Sequence, residues 1–162
     1  MQSKFMQSKN VLFMAIILVG LAVTLLQGRG RATDIYNHNT FDGEAKIVAA
    51  TFTSAFCSVC KIIEPRLANV IPEFNGSPVQ FLELDFTFGK TDHHEKLAQK
   101  NGFTDVYHRF KAGTGYTLLI NPATGDVIDM LTINHSEKAM RAAIAQALAR
   151  ADIDELEREL LN

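Results

Sequence analysis

Two cysteines, Cys57 and Cys60, are the only thiols in the 162-residue chain, and Ser58 and Val59 separate them. Thiols at that spacing can exchange with a partner disulfide, hold a thiophilic metal, or close a small bridge. A network of structural disulfides is excluded by the count. A bridge across two residues constrains the unfolded chain little, so a purely structural role is poorly motivated and exchange chemistry is the leading expectation.

The pair sits where an apolar, β-branched run at 46–53 (KIVAATFT) gives way to a helical pattern over 57–70, with Ile62, Ile63, Leu67 and Val70 on a 3–4 spacing. First-turn N–H groups are unpaired and the dipole is positive at a helix start. A thiolate on Cys57 is favoured there, and a thiolate is the attacking species in disulfide exchange. Cys60, about one turn further on, is placed to resolve the mixed disulfide that Cys57 would form. Lys61 reads as a solvated side chain near the site. The metal alternative draws on His93-His94, with His108 and His135 further along: Cys57, Cys60, His93 and His94 could together bind copper or zinc. A doubled histidine near a helix start more commonly faces solvent. Glu83 and Asp85 alternate with apolar neighbours on a strand, and neither a glycine-rich phosphate loop nor a Ser/His/Asp spacing stands out.

The elements that must position the cysteines follow from periodicity and turn signals. The run 46–53 suits a buried central strand, and Pro65 should kink the helix that follows. Asn75-Gly76-Ser77-Pro78 reads as a turn before a second strand at 79–85. A helix over 91–100 starts at Thr91 or Asp92 and stops at Asn101-Gly102. Residues 104–114 show no clear period and read as an irregular insertion, with Tyr107, Phe110 and Tyr116 as packing residues. Segments 116–120 and 126–131 form an antiparallel hairpin around 121–125. Ser136 caps a last helix over 137–150, marked by Met140, Ile144 and Leu148, and the tail 151–162 either extends it or forms a small docking helix. Strand–helix–strand predicts a parallel pair through a right-handed crossover, to which the hairpin adds antiparallel strands.

The residues Phe52, Phe56-Cys57-Ser58-Val59-Cys60-Lys61, Ile63 and Pro65 resemble the thioredoxin family: a strand end, an aromatic-Cys-x-x-Cys-Lys site, and a proline five residues past the second cysteine. Residues 82–85, 98–103 and 117–120, with Gly125 and Val127, are similar to that family's next strand, helix end and closing hairpin. The resemblance runs from about 44 to 148. It implies an α/β, thioredoxin-like fold, a mixed central sheet flanked by helices, with Cys57 exposed as nucleophile, Cys60 buried as resolving partner, and Phe56, Ser58, Val59, Gly115 and Tyr116 contacting substrate. The implied activity is that of a thiol-disulfide oxidoreductase without cofactor. Thioredoxin-fold metal chaperones and non-catalytic interaction domains are the alternative functions. Four positions depart from the family. Tyr116 stands where it places a cis-proline, and a non-proline cis bond costs about 2.5–4 kcal/mol, so a trans bond is expected. Thr51 replaces a buried aspartate, Phe81 stands near the position of its lysine companion, and Ser58-Val59 replaces Gly-Pro. The proton-handling pair is therefore absent, which slows release of a mixed disulfide.

Composition sets the context. Hydrophobic residues make up 47% and charged residues 21%, a globular balance, and the net charge of −2 is unevenly spread. Lys4, Lys9, Arg29 and Arg31 all precede the first acidic residue, Asp34, so the remainder is acidic and a nucleic-acid partner is excluded. Between them, 11–26 (VLFMAIILVGLAVTLL) is free of charge. It is an export or membrane signal, with an uncleaved anchor favoured over cleavage near Gly30-Arg31-Ala32. The basic start keeps that end cytoplasmic, which places the body in a periplasm-like, oxidising space, tethered to a bacterial inner membrane or free if the signal is cut. The expected organisation is a signal or anchor at 1–32, a linker at 33–43, the thioredoxin-like domain at 44–150 and a helical tail at 151–162. The expected partner is a protein dithiol or disulfide.

Overall fold

The computed structural model of the chain describes Tyr36, residues 43–89 and residues 91–161, all within the unit spanning 32–162. The apolar run 11–26, the rest of 1–32 and the arm 33–42 apart from Tyr36 lie outside the described residues. Among the described residues no helix is long and apolar enough to cross a membrane.

Strand β1 (Ile47–Thr53) is buried at all seven positions, as its mostly apolar, β-branched run leads one to expect. It pairs in parallel with β2 (Val79–Asp85) and antiparallel with β3 (Tyr116–Asn121), and β3 carries β4 (Asp126–Leu131) as an antiparallel neighbour. The order β2-β1-β3-β4 puts β1 in the interior of the sheet. The expected parallel pair and closing hairpin are both present.

Because successive side chains of a strand alternate between faces, β1 feeds two cores. Ile47 and Ala49 pack with Ile63, Leu67 and Val70 of α1 (Cys60–Val70) and with Met140, Ile144 and Ala147 of α4 (Glu137–Leu160). Val48, Ala50 and Phe52 pack with Ala98 of α2 (Asp92–Lys100) and with Val106 and Tyr107 of α3 (Thr104–Phe110). Helices thus cover both faces of a mixed sheet, the thioredoxin-like arrangement. Tyr36 is helical and buried in the first of these cores.

Two elements differ from expectation, and the tail takes one of its two expected forms. Helix α1 begins at Cys60 rather than Cys57, because Cys57 closes a turn by donating its N–H to Ser54 O at 3.0 Å. Pro65 lies inside α1, which continues to Val70. Residues 104–114 are not an irregular insertion: α3 occupies Thr104–Phe110. Its apolar face is Phe103, Val106, Tyr107 and Phe110, an i, i+3, i+4, i+7 set whose first member stands just ahead of the helix. Helix α4 continues without a break through the tail to Leu160, and Ala151 is buried in the same core as Ile144.

Two contacts fix helices to neighbouring turns. The Arg66 guanidinium on α1 donates to Ile133 O (2.7 Å) and His135 O (3.1 Å), tying the helix to the turn that leads into α4. Helix α2 ends at Asn101-Gly102 as expected. Gly102 has φ +73°, and a Cβ there would lie 2.7 Å from Pro122 O, so only glycine fits between α2 and the β3–β4 turn.

Candidate functional site

Cys57 and Cys60 are joined by a disulfide, with Cα atoms 5.3 Å apart. The bond spans the junction of β1 and α1, and its two ends have different surroundings. Cys60, in the first turn of α1, is buried, whereas Cys57 is half-exposed. No side chain caps α1 at Val59 and no acidic residue lies in its first turn. The Cys60 N–H instead donates to Cys57 Sγ at 3.1 Å. The first cysteine's sulfur therefore occupies the acceptor position that a capping oxygen usually fills, where negative charge is favoured.

Two neighbouring loops frame this sulfur. The 54–57 turn is held to the loop after β2 by the Ala55 N–H donating to Thr87 Oγ1 at 2.8 Å. On the other side, the Gly115 N–H donates to Phe52 O at 2.7 Å. A Cβ at Gly115 would meet Val59 Cγ1 at 3.0 Å and Cys57 Sγ at 3.3 Å, and the residue sits at φ +96°. Glycine is required here on both counts, since the backbone passes directly over the disulfide.

Of the residues named for substrate contact, Phe56 is 82% exposed and Ser58 is exposed, while Val59 is half-buried and Gly115 buried. Tyr116 stacks on Phe52 at 5.2 Å. Its hydroxyl donates toward Phe110 O (2.6 Å) and Gly113 O (3.2 Å). That hydroxyl closes the α3–β3 loop, and burial pushes its pKa up. The bond before Tyr116 is trans, as expected, since no described peptide bond is cis.

The histidines are arranged differently from the cysteines. His93 is exposed, while His94 is buried with its ring 4.7 Å from Phe86 and Nδ1 without a partner. Burial, and then His93, lower the His94 pKa. Among the described residues no group of three His, Cys, Asp or Glu side chains is placed to hold a metal ion, so Cys57, Cys60, His93 and His94 do not form one ligand set. A cavity of about 750 Å³ lies at the other end of the sheet, lined by Lys46, Gln80, Asn121 and Pro122, and does not include the cysteines.

Sequence reasoning missed two features. Phe88, on the loop tied to the 54–57 turn, is 94% exposed; an aromatic beside Gly89 in a turn was the available signal. Beneath the site, Thr51 is buried and shares a 2.9 Å hydrogen bond with Thr117, Phe81 is core, and Thr53 Oγ1 donates to Glu64. Glu83 is half-buried across from Thr51. Burial, then Glu64 and Asp85, push its carboxyl up to about 7.

No family model matches the chain, and no curated protein matches it. Among solved structures it is similar to a single-substitution thioredoxin from Halobacterium salinarum, at 16% identity and a TM-score of 0.41, covering 64% of this chain and 76% of that one. The thioredoxin-like fold rests on the strand order, the helices on both faces and the cysteine pair at the β1–α1 junction.

Proposed function

We propose that the chain exchanges dithiol for disulfide with a protein partner through Cys57 and Cys60. The observation that carries this reading is the half-exposed Cys57 sulfur accepting the Cys60 N–H at the start of α1. In the reduced state the same donor supports a thiolate on Cys57. That thiolate attacks one sulfur of a partner disulfide, forming a mixed disulfide and releasing the partner's second sulfur as thiolate. Cys60, deprotonated, then attacks Cys57 Sγ. The Cys57–Cys60 bond forms, the bond to the partner breaks, and the partner leaves reduced by two electrons. Run backwards, the same steps oxidise a partner dithiol.

A protein partner is favoured over a small thiol by the exposed Phe56 beside Cys57 and the exposed Phe88 on the adjoining loop, since apolar surface of this kind is covered by apolar residues of another chain. Phe56, Ser58 and Val59 present the partner-facing edge of the disulfide, and the Gly115-Tyr116 backbone borders it. The charge-free run at 11–26 behind Lys4 and Lys9 supports a location at a bacterial inner membrane with the domain in the periplasm. In an insulin reduction assay with a dithiol donor, Cys57→Ser should lose the activity of the wild type. An active wild type whose rate survives the substitution overturns the proposal.

A further inference from the structure

Helix α4 is apolar on two sides. Met140, Ile144, Ala147 and Ala151 belong to its buried face. At about 100° per residue, a second set falls on the opposite side of the helix: Ala142, Ala145, Ala149, Ile153, Leu156 and Leu160. Their steps of three or four residues keep them on one line of a straight helix, about 27 Å long at a rise of about 1.5 Å per residue. All six are exposed, and the large ones strongly so: Ile153 at 55%, Leu156 at 58% and Leu160 at 86%. Exposed alanines are ordinary helix formers, but three large apolar side chains in line are a surface that another chain covers.

The two halves of this line differ in size and in charge. Over 138–150 the side chains on the line are small, and every charged residue is basic: Lys138, Arg141 and Arg150. Over 151–160 they are Ile153, Leu156 and Leu160, and Asp152, Asp154, Glu155, Glu157 and Glu159 accompany one basic residue, Arg158. Lys46 pairs with Asp152 and Glu155, and Glu73 with Arg141. Glu157 and Glu159 leave the last turn net negative, although a helix C-terminus favours positive charge, so α4 by itself does not account for its charge order. Two such helices laid parallel would set like charges together. Laid antiparallel about the middle of the line, the small, basic half of each meets the large, acidic half of the other. Each Ile/Leu ridge then lies over alanines, and Arg150 of one chain approaches Glu157 of the other. The same acidic half disfavours an anionic lipid surface as the occupant.

We propose that the outer face of α4 docks a second copy of this chain as an antiparallel, two-fold symmetric helix pair. The axis crosses the line near position 151, so each contact occurs twice. The pairing lies away from the disulfide, since Lys46, which binds this part of α4, precedes β1 whereas Cys57 follows it. It does not depend on the exchange reading.

Sedimentation equilibrium of the full-length, oxidised chain in a density-matched mild detergent tests this. Five turns of paired helix make a small interface, so association at about 10–100 µM is expected. Leu156→Asp, at an exposed position, should weaken it on the order of 10²-fold, because the loss counts in both copies. A chain carrying Glu157→Lys with Glu159→Lys, and another carrying Lys138→Glu with Arg150→Glu, should each stay monomeric alone and associate when mixed. A wild type that is monomeric up to about 0.5 mM overturns the proposal. So does association that Leu156→Asp leaves unchanged, which places the contact elsewhere in the chain. Charge-reversed chains that associate alone as the wild type does, or that keep the wild-type circular dichroism and fail to pair when mixed, also overturn it. Should either of them be unfolded, Leu156→Asp decides alone.

Discussion

Cys57 and Cys60 differ in burial because of how the chain enters α1. The turn closed by Ser54 leaves Cys57 outside the helix, so its sulfur can accept the first-turn N–H, while Cys60 is carried into the core side of the helix. The backbone at Gly115 completes this geometry. Its positive φ and the contacts that a Cβ would make with Val59 and Cys57 Sγ leave no room for a side chain. Gly115→Ala should therefore cost about 1–3 kcal/mol of stability, combining backbone strain with crowding, and should also slow disulfide exchange because the crowded atom is the reactive sulfur. Thermal unfolding and the insulin assay check the two parts, and an unchanged melting temperature would contradict the crowding. The cysteines were legible from spacing alone. The burial of Glu83 was not, because an acidic residue alternating with apolar ones on a strand reads as a solvated face, whereas here it stands half-buried opposite Thr51.

Elements with one clear period were readable. The mostly apolar run of β1 announced a strand buried on both faces, and the turn residues at 121–125 announced the β3–β4 hairpin. Helix α3 was hidden because its first apolar contact, Phe103, stands outside it, directly after the Asn101-Gly102 stop, and so reads as part of the preceding helix end. Counted from Phe103 the helical spacing is complete. The start of α1 was misplaced by three residues for a related reason, since Cys57 belongs to a turn whose acceptor, Ser54 O, is a backbone group that no sequence pattern displays. If Phe103 locks α2 and α3 onto the sheet, Phe103→Ala should destabilise the protein by about 3–5 kcal/mol, the range for a fully buried phenylalanine. Denaturant unfolding measures this, and a loss under about 1 kcal/mol would show that α3 packs independently of it.

At the scale of the whole molecule, the two ends of the mixed sheet differ in what they carry. The end where β1 stops and β3 starts carries the cysteines, Gly115 and the exposed Phe56 and Phe88. The other end is closed by the long α4, whose Asp152 and Glu155 pair with Lys46 ahead of β1. Among the described residues both cysteines lie at the first end, beside the exposed Phe56 and Phe88. The sequence allows the tail to be either an extension or a separate docking helix; the burial of Ala151 in the same core as Ile144 makes it an extension. The exchange reading is tested most directly by trapping. The full chain carrying Cys60→Ser, expressed in a bacterium and quenched with acid, should hold a partner protein in a covalent adduct through Cys57 that dithiothreitol releases. The chain carrying both Cys57→Ser and Cys60→Ser should hold none. An adduct that persists without Cys57, or a Cys60→Ser chain that captures nothing and a wild type that reduces no disulfide, would contradict the account.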